Sequence, residues 1–158
     1  MTATNVSTQS ARSTQSGPSI GLVTAVFLTT LIHHVYGGIS YASVERIVLA
    51  VVFSVAYVLT VGLFLAGRTR RWARWLYQGL VLVFWIVLIG VYEGGYNHTL
   101  YVALRLIGTD PHDLEQIYPG GGDLVVPNDV FFQGTGILTL ATALWVAFAW
   151  ARRKSVAS

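Results

Sequence analysis

Residues 44–74 read VERIVLAVVFSVAYVLTVGLFLAGRTRRWAR. After Glu45 and Arg46 the chain runs from Ile47 to Ala66 without a charged side chain, then places Arg68, Arg70, Arg71 and Arg74 in one short stretch. About 20 mostly apolar residues are what an α-helix needs to cross the hydrocarbon of a bilayer, and arginines directly beside such a run act as a topology signal. A soluble fold disperses its charges, whereas here they are gathered between apolar blocks. The stretch reads as a transmembrane helix with a basic flank.

The rest of the chain follows the same grammar. Its 54% hydrophobic and 11% charged residues depart from globular averages in the direction of a membrane protein. Three more apolar segments, at about 20–36, 74–93 and 129–151, join the one at 44–66. The expectation is an all-α integral membrane protein, a four-transmembrane-helix bundle occupying 20–151. Gly37-Gly38 and Gly94-Gly95 follow the first and third runs, where a helix end favours a left-handed residue, so those helices are expected to stop there. Residues 1–19, rich in Ser, Thr and Gln, read as a disordered cytoplasmic tail, and 152–158 as a basic one. The first apolar segment runs into His33-His34 with no small-residue cleavage site and is read as an uncleaved helix.

Orientation follows from the basic residues. Arg12, Arg68, Arg70, Arg71, Arg74, Arg152, Arg153 and Lys154 lie on one side of the four spans, and only Arg46 and Arg105 on the other. The positive-inside rule then puts both termini in the cytoplasm of a multi-pass plasma (inner) membrane protein. All seven acidic residues (Glu45, Glu93, Asp110, Asp113, Glu115, Asp123 and Asp129) and His33, His34, His98 and His112 fall at the extracytoplasmic end. Between the third and fourth spans lies a long, partly helical outer loop, 94–128. Within it Thr99 to Ile107 reads as a short helix on the interface or over the bundle, able to serve as a lid. Asp110-Pro111 opens a turn through Tyr118 that Pro119 and Gly120-Gly121-Gly122 end, and Pro127-Asn128-Asp129 caps the fourth span.

Several chemistries are excluded or disfavoured. The chain has no cysteine, which removes disulfides, thiolate metal sites, iron–sulfur clusters and thiol catalysis together. A net charge of +3 would fit nucleic acid, but the basic residues sit beside apolar spans, where they report topology. The partners expected are the lipid bilayer and another membrane protein or a second copy of the chain, and no nucleic acid.

One constellation remains. His33 and His34 lie in the last turn of the first span, Glu93 ends the third, His98 follows it, and Asp129 opens the fourth. Imidazole with carboxylate suits copper, iron, zinc or manganese, and helix bundles build metal sites from side chains facing inward. Spacing alone is less specific. On an α-helix Glu93 and His98 point about 140° apart, so Gly94-Gly95 must bend the chain, while Glu93 and Asn97 share a face. His33 and His34 diverge by about 100°, so one is expected to face the bundle and the other a loop, a headgroup or a second site. The blander reading makes Asp129 an N-cap, pairs Glu93 with Arg46 or Arg105, and treats Gln133, Gly134, Thr135 and Gly136 as helix packing.

These residues support a transition-metal site at the extracytoplasmic end, in an oxidoreductase or a metal-handling accessory protein; no feature selects a substrate. Two alternatives stand beside it: a non-enzymatic partner subunit or scaffold of a membrane complex, and a b-type haem protein with His98 and a first-span histidine as axial ligands. In span count and size the chain resembles small bacterial four-helix membrane proteins such as the DoxX-like group, a resemblance that transfers no residues.

Overall fold

The computed structural model describes residues 17–118 and 129–157, and every regular element in them is helical. Residues 1–16 of the expected tail, the Pro119 to Gly122 stop, Asp123 and the Pro127-Asn128 cap lie outside the described residues. Helix α1 spans Ile20–Ser40 and α2 spans Val44–Ala66. Helix α3, Arg71–Leu80, runs on without interruption through a π-helical segment, Val81–Leu100, into α4, Tyr101–Leu106. A short α5, Pro111–Ile117, and a long α6, Val130–Ala157, complete the set. Four stretches are long and apolar enough to cross a membrane: Ile20–Ser40, Val44–Ala66, Arg71–Leu106 and Val130–Arg153.

Helix α6 runs past the expected end at 151 to Ala157, through most of the expected basic tail, and the helix ends expected at both glycine pairs also differ. Helix α1 continues through Gly37-Gly38 to Ser40, and the third helix continues through Gly94-Gly95 to Leu106. Thr99 to Leu106 therefore extend the third helix instead of forming a separate lid. These glycines serve contact between helices. A Cβ on Gly38 would overlap the Ile47 side chain, and one on Gly94 would come within 2.6 Å of the Leu140 nitrogen and 2.8 Å of the Gly136 oxygen. In lipid, where no hydrophobic force drives helices together, such close backbone approach is what packs them.

The π-helical segment and α6 form the most extensive contact, with α1 against both α2 and α6. Buried positions in the segment recur every four to five residues, at Val81, Trp85 and Ile86, Ile89 and Gly90, Gly94 and His98. That is the repeat of an i→i+5 helix, not of an α-helix. Gly90 seats the Ala143 methyl as Gly94 seats Leu140, so the segment lies directly on α6. Deeper in the interior, fully buried Trp85 donates its Nε1–H to Thr60 Oγ1 at 2.9 Å, and that hydroxyl donates on to the Ala56 carbonyl. A bond of this kind between membrane helices contributes about 0.6 kcal/mol on average. Around it Val23, Val26, Phe53, Ile89 and Val146 fill the core.

Candidate metal centre

Adjacent residues on an α-helix diverge by about 100°, and α1 uses that divergence to aim two imidazoles at two neighbours. His33 turns toward α6: its ring stacks on Phe132 at 4.0 Å and its Nδ1 lies 3.0 Å from Thr135 Oγ1. His34 turns toward α2, edge-on to the Phe53 ring at 4.8 Å. Both are buried, at 1% and 3% exposure, so neither faces a loop or headgroup as expected of one of them. The reason is the third helix, which inserts Glu93 where both can reach it.

Glu93 and His98 belong to the π-helical segment. Residues five apart nearly share a face in an i→i+5 helix, so no bend at Gly94-Gly95 is needed to bring the two side chains together. The His98 ring rests on the backbone of Gly136, where a Cβ would overlap it, and its Nδ1 lies 2.9 Å from Gln133 Oε1. Three Nε2 atoms converge on one carboxylate oxygen. Glu93 Oε1 is 3.4 Å from His98, 3.7 Å from His34 and 3.8 Å from His33. The second oxygen, Oε2, accepts from Asn97 Nδ2 at 2.7 Å, the face-sharing pair read from the sequence.

The partners of the Nδ1 atoms decide the tautomers. The Gln133 amide oxygen can only accept, so His98 Nδ1 carries the hydrogen. Thr135 donates its hydroxyl to the backbone oxygens of Phe131 and Phe132 and is left to accept from His33 Nδ1. With hydrogens on Nδ1 in the neutral rings, both Nε2 atoms present lone pairs toward Glu93 Oε1, and His33 Nε2 has no hydrogen-bond partner. Lone pairs aimed at a carboxylate at these distances repel unless a metal ion or a proton lies among them. A tetrahedral ion with bonds of roughly 2.1 Å holds its ligand atoms about 3.4 Å apart, close to the 3.4 and 3.8 Å from Glu93 Oε1 to the His98 and His33 Nε2 atoms. One ligand atom from each of His33, Glu93 and His98 lies within 4.8 Å of the others, a group that can hold a metal ion.

The remaining two candidates, His34 and Asp129, are not among those three; Asp129 has partners of its own. Its Oδ1 caps α6 by accepting from the Phe132 N–H at 2.9 Å, and its Oδ2 accepts from Tyr36 and Tyr41 hydroxyls at 2.8 and 2.7 Å. The cap bond first, then the two tyrosines, hold its carboxyl down at about 2. Burial, followed by the bond to Asp129, pushes the Tyr41 hydroxyl up to about 12. Beside them Arg46, 8% exposed, lies 4.6 Å from the Phe132 ring centre and 5.4 Å from that of Tyr41. Farther away, Tyr96 donates to the Ile117 carbonyl and exposed His112 pairs with Gln116. A haem does not fit between His33 and His98, whose ring centres are 4.4 Å apart, with no space for a macrocycle.

The sequence reading missed the role of Gln133 and Thr135, which it assigned with Gly134 and Gly136 to packing. Their signal was available: two hydrogen-bonding side chains, two residues apart, near the start of a mostly apolar span. No family model, no curated protein and no solved structure matches the chain. Fold and site together define a membrane-spanning helical protein with a buried His/Glu group that can hold a metal ion.

Proposed function

We propose that the protein is a multi-pass inner-membrane metalloprotein, its ion held by His33, Glu93 and His98 at the extracytoplasmic end of a four-helix bundle, serving redox chemistry or metal handling. One observation carries the reading: the Nε2 atoms of His33 and His98 converge on Glu93 Oε1 while Thr135 and Gln133 occupy both Nδ1 atoms. Metal-ligating histidines are oriented this way, by a hydrogen bond at the nitrogen that does not bind the metal. Donors that are all nitrogen and oxygen favour iron, manganese, zinc or copper(II) over copper(I). The placement rests on Arg68, Arg70, Arg71, Arg74, Arg152 and Arg153, which the positive-inside rule puts opposite the Glu93 end.

The test is elemental mass spectrometry of protein purified in mild detergent without chelators or a histidine tag. About one metal ion per chain is expected, lost in His98→Ala and in Glu93→Ala. Protein that holds no metal even after reconstitution with excess ions overturns the reading. That result leaves a proton-sharing cluster, or a polar contact holding the helices together in a partner subunit.

A further inference from the structure

Three described residues, His33, Glu93 and His98, offer one ligand atom each; the neighbours of that group indicate what would complete a site there. His34 brings Nε2 to 3.7 Å from Glu93 Oε1, as near as His33, yet does not join the set of mutually close ligand atoms. It also lacks what His33 and His98 have. Both of its ring nitrogens are buried without a hydrogen-bond partner, so nothing fixes its tautomer as Thr135 and Gln133 fix theirs.

A second orphan lies one helical turn away. Thr30 precedes His34 by four residues, a spacing that stacks side chains on one face of a helix. Its hydroxyl is buried, at 0% exposure, with no partner. Every other threonine of α1, α2 and α6 (Thr24, Thr29, Thr60, Thr135, Thr139 and Thr142) donates to a carbonyl of its own helix. Buried polar atoms almost always have partners. Unpartnered atoms on two residues of one α1 face, one of them beside a carboxylate that three imidazoles approach, mark the place of a small polar guest.

Resting on the metal reading above, we propose that the centre is open: His33, Glu93 and His98 hold the ion, and a small exogenous ligand completes it on the side bounded by His34 and Thr30. The ligand class is water or hydroxide and the small anions that replace them, with His34 as hydrogen-bond partner to the guest and not a ligand to the ion. Catalytic metal sites keep such a position, with three protein ligands and one exchangeable one, whereas purely structural sites are closed by four.

Cobalt(II) and azide test this in the full-length chain in detergent. Wild type is expected to take up cobalt and to change its visible spectrum on azide addition. His34→Ala should keep cobalt, unlike His98→Ala, while its azide Kd rises about tenfold or more, as for loss of a hydrogen bond to a charged group. Thr30→Val removes only a hydroxyl at nearly constant shape; it should keep cobalt and bind azide several-fold more weakly. It carries the test alone if His34→Ala does not elute as a single species. Loss of cobalt in His34→Ala makes His34 a fourth ligand and overturns the open site. So does a wild-type spectrum that azide leaves unchanged, or unaltered azide affinity in the variants. Wild type that binds no cobalt overturns the metal reading itself.

Discussion

At the scale of single residues, the proposed centre depends on Gln133 and Thr135 as well as on the donors they orient. Gln133→Leu and Thr135→Val leave every proposed ligand in place but free His98 or His33 to adopt the other tautomer. Loss of such partners lowers metal affinity about 10- to 100-fold, measurable by competition with a chromophoric chelator. His98→Ala should abolish uptake. Asp129 acts at the same scale through protons. Its carboxyl titrates at about 2 in the folded chain against an ordinary 3.8, so it contributes its full stabilisation above 3.8 and loses it as pH falls toward 2. Thermal unfolding in detergent should lose midpoint over that window in wild type. Asp129→Asn should lie lower at neutral pH and lack this part of the slope; parallel curves would remove the carboxylate from the account.

At the scale of helices, the glycine pair at 94–95 separates two roles that the sequence merges. A Cβ at Gly94 would crowd backbone atoms of Leu140 and Gly136, while one at Gly95 would meet the Leu140 side chain at 3.6 Å and the Gly90 oxygen at 3.7 Å, both ordinary contacts. Gly94→Ala should therefore destabilise by about 1–3 kcal/mol, the range for overpacking, and Gly95→Ala by much less. Gly136→Ala, which presses on His98, should in addition lower metal occupancy, with Gly134→Ala, open on all sides, as its control. Paired melting curves and metal analyses decide both contrasts. Four apolar spans and the meeting of His33, Glu93 and His98 were legible because composition and residue type carry them. The π-helix was not. Apolar side chains surround most of that segment, so no polar face reveals its period, and glycines that admit a neighbouring backbone look the same in sequence as glycines that end a helix. The burial of both His33 and His34 was equally hidden, since it depends on α6 and α2 each covering one ring and on Glu93 reaching both.

At the scale of the whole molecule, the proposed orientation can be tested cleanly because these 158 residues contain no cysteine. Arg70 and Glu115 are both exposed, in the α2–α3 connection and in α5. With a membrane-impermeant maleimide, Glu115→Cys should label in intact cells and Arg70→Cys only after permeabilisation. The opposite pattern would place the metal centre on the cytoplasmic side. Packing supports a single assembly of the long helices, since α1, α2, the third helix and α6 all contribute residues to one core.

The origin of the site's parts, first helix for His33 and His34, third for Glu93 and His98, last for Gln133 and Thr135, orders its biogenesis in time. A chain still being synthesised offers only two neighbouring imidazoles until the third helix emerges. Their orienting partners come last of all. On the proposed metal reading, an ion can be held in its final geometry only after insertion of the span that carries Gln133 and Thr135, so an apoprotein stage would precede the loaded one.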